Sequence, residues 1–126
     1  MIDYFSHLGV AIAFSLAFLF CYTKMTPVEE FKLIKQGNMA AASSMVGAQF
    51  AFALTLAVNI VHNDTLLAVA AWSALSFLVQ LAGHIFMHFL FRGFENHIEQ
   101  DNRAVGLVTA AFSVCLGIAN AASISY

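Results

Sequence analysis

An all-α integral membrane protein with four transmembrane helices is the fold class this chain predicts, and three observations predict it. Of its 126 residues, 61 % are apolar and the mean hydropathy is +0.82. Only 10 % are charged, where soluble domains carry about 25 %. The 5 basic and 7 acidic residues are also bunched, which leaves uncharged stretches of 20, 28, 27 and 23 residues over 4–23, 36–63, 65–91 and 104–126. A hydrocarbon core about 30 Å thick takes roughly 20 helical residues to cross. Each stretch is therefore one span, and residues 1–126 form a single membrane domain with no room for a soluble one. A soluble enzyme and a disulfide scaffold are excluded. So is a nucleic-acid partner, since the net charge is −2 and the pI near 6.1. The stretches are too long and too uniformly apolar for barrel strands, which alternate over about ten residues.

Span one, Tyr4–Thr23, follows Met-Ile-Asp, and its first basic residue, Lys24, comes after the apolar run. A signal peptide has the opposite charge order, so this span stays as a membrane helix. In the loop that follows, Thr26-Pro27-Val28-Glu29 has the form of a capping-box helix start. Val28, Phe31 and Ile34 then recur at helical spacing between Glu30, Lys32 and Lys35. A short amphipathic helix on the membrane surface is expected, ended by Gly37. Asn38 is placed to cap span two. Asn63-Asp64 makes the tight turn to span three. The second long loop carries Phe94 and Ile98 among Glu95, Asn96, Glu99 and Gln100, the pattern of a second short interfacial helix, and Asn102 precedes span four. The acids Glu29, Glu30, Glu95 and Glu99 are expected on solvated faces.

All five basic residues, Lys24, Lys32, Lys35, Arg92 and Arg103, fall in or beside the two long loops. The positive-inside rule puts those loops in the cytoplasm and both termini outside, periplasmic in a Gram-negative cell.

The two loops also match each other. Ile34-Lys35-Gln36-Gly37-Asn38-Met39-Ala40 aligns with Ile98-Glu99-Gln100-Asp101-Asn102-Arg103-Ala104 at an offset of 64, and the same offset pairs Ala57 with Ala121 and Ile60 with Ile124. This predicts two internal repeats, about 1–62 and 65–126, each a two-helix unit running outside to inside and back. Units of like orientation are related by an axis along the membrane normal.

Phe20-Cys21-Tyr22-Thr23-Lys24-Met25-Thr26-Pro27, Leu33-Ile34-Lys35, Asn38-Met39-Ala40-Ala41-Ala42, Val79-Gln80-Leu81 and Gly117-Ile118-Ala119-Asn120-Ala121-Ala122 resemble the YjfL-like family of bacterial inner-membrane proteins. The resemblance runs from about Leu19 to the C-terminus. It implies four helices built from tandem two-helix units, a bacterial inner membrane and no established activity. Gene neighbourhoods in that family suggest envelope stress, which gives a setting and no mechanism. His84 and His88 are not part of the family pattern.

Gly, Ala and Ser supply 10 of the 24 residues in 39–62 and 11 of the 22 in 104–125, whereas spans one and three hold 8 of the 13 phenylalanines. Small residues let helix backbones approach in lipid. Ser43-Gly47-Ala51 and Ser113-Gly117-Ala121-Ser125 each follow one face, so spans two and four are expected to form the inner, close-packed pair.

Polar groups within the spans are the usual functional clue, because each is costly unless bonded. Here they are Gln49 and Asn59 in span two, Gln80, His84 and His88 in span three, and Asn120 in span four. Gln80, His84 and His88 share a face with Trp72 and Ser76. Two imidazoles four residues apart could hold a metal or relay a proton, but no third ligand is evident at their depth. His7 and His62 permit an axial haem pair near the outer surface. Plain structural or interfacial histidines remain the alternative to both, and no cofactor is expected. Cys21 and Cys115 lie at different depths and are read as small apolar groups. Asn38 and Asn102 are read as equivalent caps or as ties between the repeats, with an anion site at the two helix starts as the alternative.

Two functions follow. One is a non-enzymatic scaffold in the lipid bilayer, a homo-oligomer that presents its loops to a soluble cytoplasmic partner. Its polar residues would be bonded internally. The other is a small channel or transporter with a polar path at Gln49, Gln80, His84 and Asn120.

Overall fold

The computed structural model describes residues 1–25 and 28–124. Its elements are α1 (Ile2–Met25), α2 (Glu30–Lys35), α3 (Met39–His62), α4 (Leu66–Leu90), α5 (Phe94–Glu99) and α6 (Arg103–Ile124). Among the described residues all regular structure is helical, and α1, α3, α4 and α6 are each long and apolar enough to cross a bilayer. The short helices α2 and α5 both sit at the end of the bundle where the long loops lie. Thr26 and Pro27 lie outside the described residues, as do Ser125 and Tyr126. The expected start at Pro27 is corrected in one respect: α2 begins at Glu30, and Glu29 at its N-cap makes no side-chain bond.

The helices form two sets of three whose starts, 2 and 66, 30 and 94, 39 and 103, each differ by 64 residues. Both short helices end the same way. Asn38 N–H donates to Leu33 O and Gly37 N–H to Ile34 O, while Asn102 N–H donates to His97 O and Asp101 N–H to Ile98 O. This paired bonding is a Schellman ending. Its left-handed residue is Gly37 at φ 84° in one loop and Asp101 at φ 57° in the other. A non-glycine residue there is strained unless a short polar side chain compensates, and Asp101 has such a use, described below.

The centre of the bundle is α3 against α6. Half of the most apolar stretch of α3 is buried, compared with 6 % of that of α1. The pair runs parallel: Ala40 lies on Gly106, Gly47 on Ala110, and Ala51 on Gly117. A Cβ added to Gly117 would stand 2.9 Å from both the Cα and the carbonyl oxygen of Ala51. Absence of a side chain is therefore what permits the contact, as the small-residue composition of spans two and four anticipates. Helix α4 packs against both members of the pair, and α1 packs against α3 and α4.

Aromatic rings fill the rest. Phe18 stacks on Phe52 at 4.7 Å, and Phe77 meets both edge-on. A second cluster at the loop end holds Val28, Ala40, Met87, Phe94, Ile98 and Val105. The apolar side of α5 thus faces the bundle, because Phe94 and Ile98 are both buried. In α2, Phe31 is exposed and Ile34 half-buried.

Candidate functional site

At the long-loop end, two polar groupings meet where α2 and α5 close the bundle. The first fixes the start of α3. Asn38 Oδ1 accepts from Ala41 N–H at 2.8 Å, so Asn38 caps its own helix. Its Nδ2 donates to Ile98 O at 2.7 Å, across to the other set of helices. From that set, Asp101 Oδ1 accepts from Ala40 N–H at 2.9 Å. The first N–H groups of a helix have no partners within it and carry partial positive charge. Here one is met by Asn38 and another by a carboxylate from 61 residues along the chain. The Ala40 N–H, aided by the Arg103 guanidinium 3.4 Å from Oδ2, holds the Asp101 carboxyl below the usual carboxylate range.

Asn102 behaves differently from Asn38. It accepts from Val105 N–H at 3.3 Å, and its Nδ2 faces His97 Nδ1 at 3.3 Å. Both asparagines cap, but only Asn38 ties the two sets together. The expected equivalence is thereby broken in its second half. The anion position at the start of α3 is filled by the chain's own Asp101.

The second grouping lies deeper and runs inward from α5. Glu95 Oε1 is 3.4 Å from His88 Nδ1, and His88 Nε2 is 3.3 Å from His84 Nε2. His84 packs against Tyr22, with ring centroids 4.3 Å apart and the planes tilted by 39°, and Tyr22 Oη bonds to Ser44 Oγ at 2.8 Å. Phe94 packs on both imidazoles. Tyr22, Ser44, Glu30 and Phe94 line a cavity of about 10 Å³, room for a single water. Glu30 is only 4 % exposed, which corrects its placement on a solvated face. Glu95, also expected to be solvated, is half-buried against His88. His84 is 2 % exposed, and its Nδ1 has no hydrogen-bond partner among the described residues. The arrangement is a short chain of exchangeable protons leading from a loop carboxylate to a buried imidazole.

Within the spans, polar side chains bond to the backbones of neighbouring helices. Gln49 Nε2 donates to Ser15 O, Gln80 Nε2 to Ser113 O, and Thr55 Oγ1 to Gly117 O. Asn59 Nδ2 donates to Val69 O and Ser73 Oγ, both at 2.8 Å. Gln49 thus joins α3 to α1 and Gln80 joins α4 to α6, while His84 turns to His88 on its own helix. Asn120 is half-buried, and its Nδ2 has no partner among the described residues. Of the shared face in α4, Ser76, Gln80 and His84 are buried while Trp72 is 42 % exposed. His7 and His62 each bond to a carbonyl of their own helix, Asp3 O and Val58 O. Among the described residues no group of three or more His, Cys, Asp or Glu is arranged to hold a metal ion.

Sequence reasoning missed Tyr22, Ser44 and Asp101. Tyr22 and Ser44 carry no local signal, since a tyrosine near a helix end and a serine in a small-residue run are both commonplace. Asp101 had one: it stands at the repeat position of Gly37, where a left-handed residue with a side chain needs a reason.

The chain matches the model of a domain of unknown function, DUF350, over residues 1–124. It is 28 % identical over 126 residues to the UPF0719 transmembrane protein YshE of Bacillus subtilis (strain 168), covering 98 % of this chain and 94 % of that protein. To the UPF0719 inner membrane protein YjfL of Escherichia coli (strain K12) it is 24 % identical over 126 residues, covering 100 % of this chain and 96 % of that protein. No solved structure matches at a significant level.

Proposed function

The chain belongs to the DUF350 family, and from that premise we propose that it is a non-enzymatic membrane scaffold that assembles with copies of itself. Both termini lie outside, and the α2 and α5 end faces the cytoplasm and a soluble partner. One observation carries the reading. Gln49, Thr55, Asn59 and Gln80 donate to the backbones of adjacent helices. In a bilayer such bonds join helices, whereas a solute path needs polar groups that converge on a common space. The orientation rests on the five basic residues, all at the long-loop end. For a partner, the fitting surface is a cleft of about 360 Å³ lined by Glu29, Lys32, Leu33, Gln36 and Glu99, where both charge signs surround one apolar side chain. The envelope-stress setting implied by the family resemblance is compatible with such a role.

The test is reconstitution into vesicles. The scaffold reading expects no protein-dependent flux of protons or monovalent ions, together with particles larger than one chain in native lipid. A proton flux abolished by His84→Ala would overturn it. That result would establish the second reading, transport, which the chain Glu95–His88–His84 favours.

A further inference from the structure

We infer that copies of this chain join head to tail, with α6 of one copy lying on α3 of the next in the way that α3 lies on α6 within the chain. The inference rests on the self-assembly reading above and specifies its geometry.

Inside the chain, the face of α3 that meets α6 carries Ala40, Gly47, Ala51 and Thr55. Shifted by the 64-residue offset, the same face of α6 carries Ala104, Ala111, Cys115 and Ala119. Every one of these is small, and every one is exposed. The converse also holds. The face of α6 that receives α3 carries Gly106, Ala110 and Gly117, with buried Ala121 one turn further on, and the equivalents of these four on α3 are Ala42, Val46, Ala53 and Ala57. Val46, Ala53 and Ala57 are exposed and Ala42 half-buried. The first set therefore uses one of its two faces and the second set uses the other. One copy of each face is left open, on opposite sides of the chain.

The flanking helices agree. Val69 and Ser73 of α4 are buried where that helix reaches Asn59 of α3. Their equivalents on α1, Phe5 and Gly9, are exposed. A following copy would bring its α1 to the α6 of the preceding one as α4 is brought to α3. Such a contact pairs two different surfaces. It therefore repeats until it closes into a ring or runs on as a row, and because the sets within a chain share one membrane orientation, so do the copies. Ala53 and Val46 replace Gly117 and Ala110 in the new pairing, so copies stand somewhat further apart than the sets within a chain.

The native cysteine supplies the test. Ala51 touches Gly117 inside the chain, so Cys115 of one copy faces Ala53 of the next. In Cys21→Ala chains in native membranes, Ala53→Cys should form disulfides with Cys115 under mild oxidation, since parallel helices in contact bring Cβ atoms within bonding range. Each copy then carries both halves of the link, and the expected product is a ladder of dimer, trimer and higher rungs that collapses when Cys115→Ala is added. Position 53 is exposed, so the substitution leaves the fold intact. Cross-linking through Cys115 alone, with Ala53 unchanged, would mean a symmetric α6 pair and would overturn the head-to-tail mode. Larger particles in native lipid without the ladder would do the same, and in both cases the scaffold reading would stand. A single-chain particle with no cross-link would overturn both.

Discussion

Asn38→Ala separates the two tasks that one side chain performs at the start of α3. Loss of the cap to Ala41 N–H costs about 0.5–2 kcal/mol. Loss of the Nδ2 bond removes one of the donors to Ile98 O, which keeps Asp101 N–H, about 0.5–1.5 kcal/mol more. The expected destabilisation is the sum, about 1–3.5 kcal/mol. Asn102→Ala removes a longer, half-buried cap and no tie to the other set. It should cost about 0.5–1 kcal/mol, the lower part of the capping range. Asn38→Ser keeps an acceptor for the cap and lacks the donor that reaches Ile98, so it should lose only the second contribution. Denaturant titration of the purified chain in mixed detergent–lipid micelles, followed by helical signal, ranks the three. The expected order of stability is wild type, Asn102→Ala, Asn38→Ser, then Asn38→Ala, with the middle two close together. An Asn102→Ala cost equal to that of Asn38→Ala would refute the reasoning, because it would mean that the tie to Ile98 contributes nothing. Full stability of Asn38→Ser would refute it equally.

Three further outcomes are expected. Asp101 is held below the usual carboxylate range by Ala40 N–H, so its contribution is fully present above the ordinary Asp value of about 3.9. That contribution fades as pH falls through the lower folded value. Asp101→Asn should therefore be less stable than wild type at neutral pH, and the gap should narrow in acid; a gap unchanged down to pH about 2, well below the ordinary value, would contradict this. Gly117→Ala forces a Cβ against the Ala51 backbone and should cost about 1–3 kcal/mol, while Gly9→Ala, which meets nothing within 4 Å, should be neutral or slightly stabilising in the same titration. Reporters active only in the cytoplasm should be silent when fused to either terminus and active when inserted beside Gly37; an active C-terminal fusion would reverse the orientation.

The parts of this fold legible from the sequence are those set by short-range chemistry. Uncharged runs set the four helices, because a charge inside lipid is prohibitive over any span of that length. Gly37 and Asn38 marked an ending and a beginning, because left-handed residues and caps are read from neighbours within four positions. The close approach of α3 and α6 was legible from glycine, alanine and serine content alone. What was not legible depends on which helices become neighbours. Asp101 accepts from the N–H of Ala40, 61 residues away in the chain, and no local pattern announces such an acceptor. Glu30 is an acid on a short amphipathic helix, yet it is buried beside Tyr22 and Ser44, since α2 folds back under the bundle. Periodicity alone cannot separate that arrangement from a solvated turn.

The distribution of polar residues between the two sets follows position in the bundle. Helices α1 and α4 are equivalent under the 64-residue offset, yet α4 carries Ser73, Ser76 and Gln80 where α1 carries Gly9, Ile12 and Leu16. The α4 residues are buried, and all three α1 residues are exposed. A polar group facing hydrocarbon is costly, whereas one facing a partner carbonyl joins helices. Gln80 gains Ser113 O, and Ser73 gains Asn59. Helix α1 is therefore apolar at the positions where its equivalent α4 is polar, which suits α1 to a lipid-facing surface. An interface formed there between copies would rest on apolar packing and close backbone approach. It would be weaker than the one inside the chain, and so could form and dissolve without unfolding either copy.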